Sequence, residues 1–254
     1  MTNKTEKIET IIQYKKGAVL VIRFNKPKKK NALDTNMYIE VAEILHRATK
    51  DDEIDAVVIT GTGDFYCSGN DLTFIPKSDE EYFQFMKALR NFIRAFIIFP
   101  KLLIALVNGP AVGIAVTSLP LCDLVLASNK AYFSTPFSKL GFVAEGCSTF
   151  TFPRLMGDRK ALEMLLFCYK LNAKEALECG LVNNIYEHDE FQSKAWDKIK
   201  EIIEIPTMPI VATKKLIRDQ IKEQLLKIND KELEEIIRIR TNKVMKFETE
   251  KSKL

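Results

Sequence analysis

Three short stretches carry residue types that can do chemistry together: Ser68-Gly69-Asn70-Asp71-Leu72, Gly113-Ile114 and Glu145-Gly146. The first is a glycine-containing loop, and the second sits in a run of small apolar residues. The third sets a carboxylate among Leu140, Phe142, Val143 and Ala144. A carboxylate in apolar surroundings has its charged form disfavoured and becomes a stronger base. Loop amides aimed at a carbonyl oxygen stabilise the charge that grows on it. Two loop N–H donors and one carboxylate therefore suffice for enolate chemistry: the base takes the proton beside a carbonyl, and the donors hold the oxygen. Spacing alone does not establish that the three stretches meet. Read singly, Glu145 is an ordinary loop glutamate. Asp71 and Asp123 read as turn and helix-end aspartates that bond nearby backbone. Cys147 reads as a packing residue, because no histidine stands near it in sequence to activate a thiol.

These stretches need elements to hold them. Leu102 to Asp123 is the organising segment: an apolar strand, a turn at Asn108-Gly109-Pro110, then residues apolar on every side from Ala111 to Val116. An element apolar all round reads as a buried helix. Its first N–H groups lack intrahelical partners and can hold an oxyanion. The plainer reading is a packed core helix. Upstream, Val19–Asn25 and Ala56–Thr60 read as strands, with a helix between them capped by Asp34 or Thr35. Lys28-Lys29-Lys30 reads as a solvated turn rather than a phosphate site. Asp79 to Phe99 is an amphipathic helix whose aromatic stripe is core or the wall of an acyl pocket.

Downstream, Leu124–Ser128, Tyr132–Thr135 and Leu181–Tyr186 read as strands, and Phe137 to Ser148 as loop. Helical pattern resumes at Ser148, and a short helix over Ala173–Cys179 ends at Gly180. From Trp196 the chain turns to charged helix formers, broken at Pro206 and Pro209, with Asn229 or Asp230 capping the last helix. Strands alternating with helices argue an α/β domain over residues 1–195 and a helical region over 196–254.

Composition narrows the function. The 254 residues hold 38 basic and 34 acidic side chains, a net charge of +4, too mild to point to nucleic acid. Five cysteines without C-x-x-C spacing suggest a reducing compartment and no disulfide framework. The two histidines, His46 and His188, stand far apart, against a histidine metal site or a serine triad. We expect no metal. No apolar run reaches membrane-spanning length, and the N-terminus lacks the apolar core of a secretory signal.

Asn108-Gly109-Pro110-Ala111-Val112-Gly113, ending in Leu121-Cys122-Asp123, together with Phe65 and Ser68-Gly69-Asn70-Asp71-Leu72, resembles the crotonase (enoyl-CoA hydratase/isomerase) superfamily. The similarity runs from about Ile11 to the C-terminus. Thr135-Pro136-Phe137-Ser138, Leu140-Gly141 and Glu145-Gly146-Cys147-Ser148 resemble, more narrowly, its peroxisomal Δ3,Δ2-enoyl-CoA isomerase branch. The resemblance implies a spiral of β-β-α turns with a C-terminal helical region used in oligomerisation, assembled as a homotrimer or a dimer of trimers. It implies an acyl-CoA thioester as substrate, with no separate cofactor because the substrate carries the coenzyme A. By position, the oxyanion donors become the backbone N–H groups of Asn70 and Ile114, and the CoA-facing loop Ser68 to Leu72, with Gly113 beside it.

Hydratases of the superfamily use two glutamates. The matching positions are Thr117 and Phe137 here, and neither can do that work. Glu145 remains, where the isomerase branch has its base. One carboxylate serves a 1,3-proton shift, from C2 of a 3-enoyl-CoA to C4, giving the trans-2-enoyl-CoA of unsaturated fatty acid β-oxidation. The alternatives are another crotonase activity (dienoyl-CoA isomerisation, hydration or thioester hydrolysis) or a non-catalytic acyl-CoA-binding paralogue. Some relatives carry an acyl-CoA-binding domain ahead of the crotonase part; the few residues before Ile11 lead us to expect none. Lys214, Lys215 and Arg218 read as solvated helix-face charges rather than phosphate partners. Ser252-Lys253-Leu254 matches a peroxisomal address, so we expect an import receptor as partner and the peroxisomal matrix as location.

Overall fold

The computed structural model describes residues 9–251. The elements, in order, are β1 Ile11–Lys16, β2 Val19–Phe24, α1 Thr35–Lys50, β3 Ala56–Gly61, α2 Asp79–Ile98, β4 Leu102–Val107, β5 Ala111–Val112 and α3 Ile114–Thr117. They continue as β6 Leu124–Ser128, β7 Tyr132–Ser134, α4 Phe137–Leu140, α5 Ser148–Met156, α6 Asp158–Leu165, β8 Lys170–Asn172, α7 Ala173–Glu178 and β9 Asn184–Tyr186. Three helices finish the described chain: α8 Phe191–Ile203, α9 Thr207–Asp219 and α10 Lys222–Lys251.

Six strands form one sheet in the order β1-β2-β3-β4-β6-β9, antiparallel only at β1–β2. Three form a second, β5-β7-β8. The chain repeats a turn of strand, strand and helix, as in β4-β5-α3 and β6-β7-α4, so successive turns stack one strand in each sheet. In β2, β3 and β4 both faces are buried. Leu20, Ile22, Val57, Ile59, Leu103 and Ala105 face the main core, and Val21, Val58, Ile104 and Leu106 face a second layer built on α8. That explains their unbroken apolar sequence, the mark of parallel strands covered on two sides. Asp34 caps α1 by accepting from the Met37 N–H at 3.0 Å, and Ser78 caps α2 by accepting from Glu81.

Several sequence expectations change. Ala111 and Val112 are strand, paired with Phe133 and Ser134, and the buried helix begins three residues later than read, at Ile114. Short apolar runs do not separate helix from strand by periodicity. Phe137–Leu140 is a helical turn inside the expected loop, closed by Gly141 in the left-handed region. Asn229 and Asp230 lie inside α10 and cap nothing; instead Asn229 donates to the Arg90 carbonyl and Asp230 pairs with Arg90 of α2. Pro209 lies in the first turn of α9, where its missing N–H costs no bond. Lys214 and Arg218 are not solvated: both reach Asp123, which also accepts from the Leu103 N–H, and so they fasten α9 to the sheet. Lys215 is exposed and pairs with Asp219. Residues 195 and 196 fall inside α8, where Ala195 and Trp196 pack on the sheet. No described helix is long and apolar enough to cross a membrane, and no group of three or more potential metal ligands occurs among the described residues. Ser252, Lys253 and Leu254 lie outside the described residues.

Candidate active site

The two glycine-bearing loops meet at the end of the stacked turns. Cys67 bridges Ala111, and the Val112 N–H donates to the Cys67 carbonyl at 3.0 Å. Gly69, at φ 86°, lies against the Val112 carbonyl and the Gly113 Cα, so close that a Cβ would stand 2.7 Å from that oxygen. Glycine is required there both for backbone angle and for approach. The approach brings Asn70 and Ile114, the next residue of each loop, onto one cavity wall. Among the described residues, neither N–H donates a hydrogen bond within the chain: the Ile114 amide opens α3, and the Leu33–Asn70 bridge engages the flanking Asp71 amide instead. Two unengaged amides on a cavity wall can receive an oxyanion.

The cavity measures about 500 Å3. The Ser68–Leu72 loop and Gly113-Ile114 form one side, so every substrate-binding residue expected from sequence lines it. Tyr82, Phe85, Met86 and Leu89 of α2 supply an apolar wall, as the aromatic stripe suggested. Phe137, Phe142 and Val143 supply another, and Ile236, Ile239 and Arg240 of α10 cover it, Arg240 resting 3.5 Å over the Tyr82 ring.

Glu145 stands in this cavity and is only 4% exposed. Burial, and then the neighbouring charge of Glu232 on α10, push its carboxyl up to about 8, against one hydrogen bond that favours the ionised form. That bond comes from the Asn70 side chain, whose Nδ2 donates to Glu145 Oε1 at 3.1 Å. The Asn70 amide is itself aimed: Tyr38 of α1 donates its O–H to Asn70 Oδ1, which leaves Nδ2 toward the carboxylate. Burial holds the Tyr38 hydroxyl well above its ordinary range, so it stays a donor. Gly146, at φ 75°, packs against Thr117, and a Cβ there would collide with the Thr117 hydroxyl. That hydroxyl is buried and without a partner among the described residues.

Asp71 also lines the cavity, but its carboxylate is taken. Thr73 donates to Oδ1 from its N–H at 3.1 Å and its hydroxyl at 2.5 Å, and Lys26 and Lys29 pair with Oδ2. These contacts outweigh partial burial and hold the carboxyl well below its usual range. Asp71 is thus the turn aspartate read from sequence, with two lysines added. Sequence reading missed Tyr38, Glu232 and the Asn70 side chain. Tyr38 carried a weak signal, a polar tip beside the apolar face of α1; Glu232 carried none, being one acid in a charged helix.

The enoyl-CoA hydratase/isomerase family model matches residues 14–250. Enoyl-CoA delta isomerase 2 of Homo sapiens is 44% identical over 262 residues, covering 99% of this chain, and the chain spans 66% of that relative's length. Enoyl-CoA delta isomerase 3, peroxisomal, of Mus musculus is 42% identical, covering 90% of this chain and 73% of its own. Among solved structures, an enoyl-CoA hydratase from Bacillus halodurans superposes with a TM-score of 0.84 at 25% identity, covering 91% of this chain and 95% of its own. With a family model spanning nearly the whole described chain and the matching fold, this protein belongs to the enoyl-CoA hydratase/isomerase family.

Proposed function

We propose that the protein is a Δ3,Δ2-enoyl-CoA isomerase. The observation that carries this reading is the single available carboxylate: of the two that line the cavity, Asp71 is bound up with lysines and Glu145 is buried, basic and free to accept a proton. The thioester oxygen of a 3-enoyl-CoA rests on the Asn70 and Ile114 amides. Glu145 removes a proton from C2, charge spreads onto the oxygen, and the same carboxyl returns the proton at C4. The product is the conjugated trans-2-enoyl-CoA. Atoms and charge balance without a cofactor, since the proton leaves and rejoins one molecule. Each amide contributes roughly 3 kcal/mol to the barrier reduction. Phe137 lines the cavity and Thr117 is buried against Gly146, so neither position offers a second acid or base to activate water, which supports isomerisation over hydration.

The isomerase names of the relatives support the same activity, and the name of the Mus musculus relative supports a peroxisomal location, with Ser252-Lys253-Leu254 as the address read by an import receptor. We place assembly as a homotrimer or dimer of trimers in the same reading; exposed Phe167, Met208 and Leu216 give apolar surface for such contacts. The test is spectroscopic: incubation with 3-hexenoyl-CoA produces conjugated-thioester absorbance, and 2-hexenoyl-CoA does not lose it to water. Glu145→Gln keeps substrate binding and lowers kcat by about 10²–10⁴-fold. A Glu145→Gln variant of near-normal rate removes Glu145 as the base.

A further inference from the structure

Behind the cavity wall lies a second buried carboxylate, one the proposed reaction does not use. Glu232 of α10 is 6% exposed. Its Oε2 accepts from the Cys147 N–H at 2.7 Å, and its Oε1 accepts from the Thr149 N–H at 3.0 Å and the Thr149 hydroxyl at 2.6 Å. Those amides open α5. The residue at the cap position, Cys147, has φ 62°, and its side chain caps nothing; its thiol donates to the Leu225 carbonyl of α10 at 3.3 Å. Glu232 therefore does, from a distant helix, what a serine or aspartate does at most helix starts.

A carboxylate suits this cap, because both oxygens accept from backbone N–H groups at a helix start, where negative charge is favoured. Burying it carries a desolvation cost. The charge has a neighbour on which to act. Glu145 is two residues from Cys147, and its own carbonyl accepts from the Ser148 hydroxyl at 2.7 Å. The backbone that carries Glu145 is thus tied to α10 at its far end, and the two carboxylates share one buried region.

We propose that Glu232 is a positioning residue: it anchors loop 145–149 to α10 so that Glu145 faces the cavity, and it sets a second negative charge in the buried region that holds Glu145. This rests on the reading of Glu145 as the base. The other charged or titratable groups facing the pair come from four helices. Tyr38 of α1 and Tyr82 of α2 lie within the field of Glu145, and Arg240 of α10 rests on Tyr82. Asp230 of α10 and Arg218 of α9 act on the Cys147 thiol, which burial and Glu232 keep protonated. Burial raises both tyrosines, so between them and the two glutamates only the glutamates change charge between weakly acid and weakly alkaline pH.

The experiment is a kcat and KM profile for 3-hexenoyl-CoA against pH, on the full chain and on Glu232→Gln, which keeps shape and one acceptor but removes the charge. The expected result is a KM within twofold, a plateau kcat lower by about tenfold, and an acid limb moved to lower pH by about one unit, because a weaker base ionises earlier. A plateau kcat within twofold of the parent, or an unmoved limb, overturns the proposal. Should Glu232→Gln not fold, Thr149→Val removes only the hydroxyl bond; kcat then falls at least twofold at unchanged KM, and an unchanged kcat overturns the proposal. Glu145→Gln in parallel separates the two readings. If it stays active, the base assignment falls and this inference with it; if it is inactive while Glu232→Gln behaves as the parent, only Glu232 falls.

Discussion

Asn70 carries two duties on one residue. Its backbone N–H is free for an oxyanion, and its side chain aims a donor at Glu145, the proposed base. An amide rotates easily, and either end can face Glu145. Tyr38 fixes the choice by donating to Oδ1. Tyr38→Phe removes only that hydroxyl and keeps the buried ring, which packs at 4.9 Å between centroids from Phe92. The Asn70 amide then loses its bias, and Glu145 loses its steady donor. A net hydrogen bond of about 1 kcal/mol corresponds to a kcat lower by roughly fivefold, with KM unchanged. Steady-state kinetics of Tyr38→Phe check this; a parental kcat would show that Asn70 is held by other means.

At the scale of elements, α9 is tied to the sheet by charge. Asp123, at the mouth of β6, accepts from Lys214 at 2.6 Å and from the Leu103 N–H at 2.8 Å, with Arg218 at 3.7 Å. Burial lowers the Lys214 ammonium below its ordinary range, so it depends on that partner. Asp123→Ala leaves the cation stranded and costs about 3–5 kcal/mol by denaturant unfolding, with KM for acyl-CoA unchanged. A loss under 1 kcal/mol would mean that water or Glu side chains replace the pair. This tie was invisible in sequence, because Asp123 and Lys214 are far apart in the chain and both are of ordinary type. The buried strands β3 and β4 were legible because two-sided burial leaves an unbroken apolar run. The start of α3 was not, since Ala111 and Val112 suit either element and only pairing with β7 decides. Glu145 stood out through its apolar neighbours and the family motif, whereas Glu232 needed α10 laid against α5 before it meant anything.

Across the whole molecule, with Glu145 as the proposed base, activity and stability respond to pH in opposite directions, and the same carboxyl causes both. Glu145 must be ionised to accept a proton, so kcat/KM rises as pH passes through about 8. In the unfolded chain the same carboxyl ionises near 4.5. A group whose pKa is raised on folding adds stability that is fully present below the unfolded value and is lost as pH climbs through the folded value. Glu232, raised to about 7, works in the same direction. Asp71 works oppositely, but its contribution disappears only as pH falls below the ordinary carboxylate range, outside this window. The fold therefore weakens between pH 5 and 9 as the site gains activity. Glu145→Gln isolates the effect: at about pH 4, below the unfolded value, the parent carboxyl is mostly protonated in both the folded and the unfolded chain, and the gap between the two proteins is smallest. At pH 9 the parent alone holds a buried charge there, and the variant is more stable by a few kcal/mol, on the order of 1.4 kcal/mol for each pKa unit of the shift. Denaturant unfolding of both proteins at the two pH values measures the difference. A gap that does not widen with pH would mean that the carboxylate is solvated in the free enzyme, and that its basicity comes from substrate closing over it.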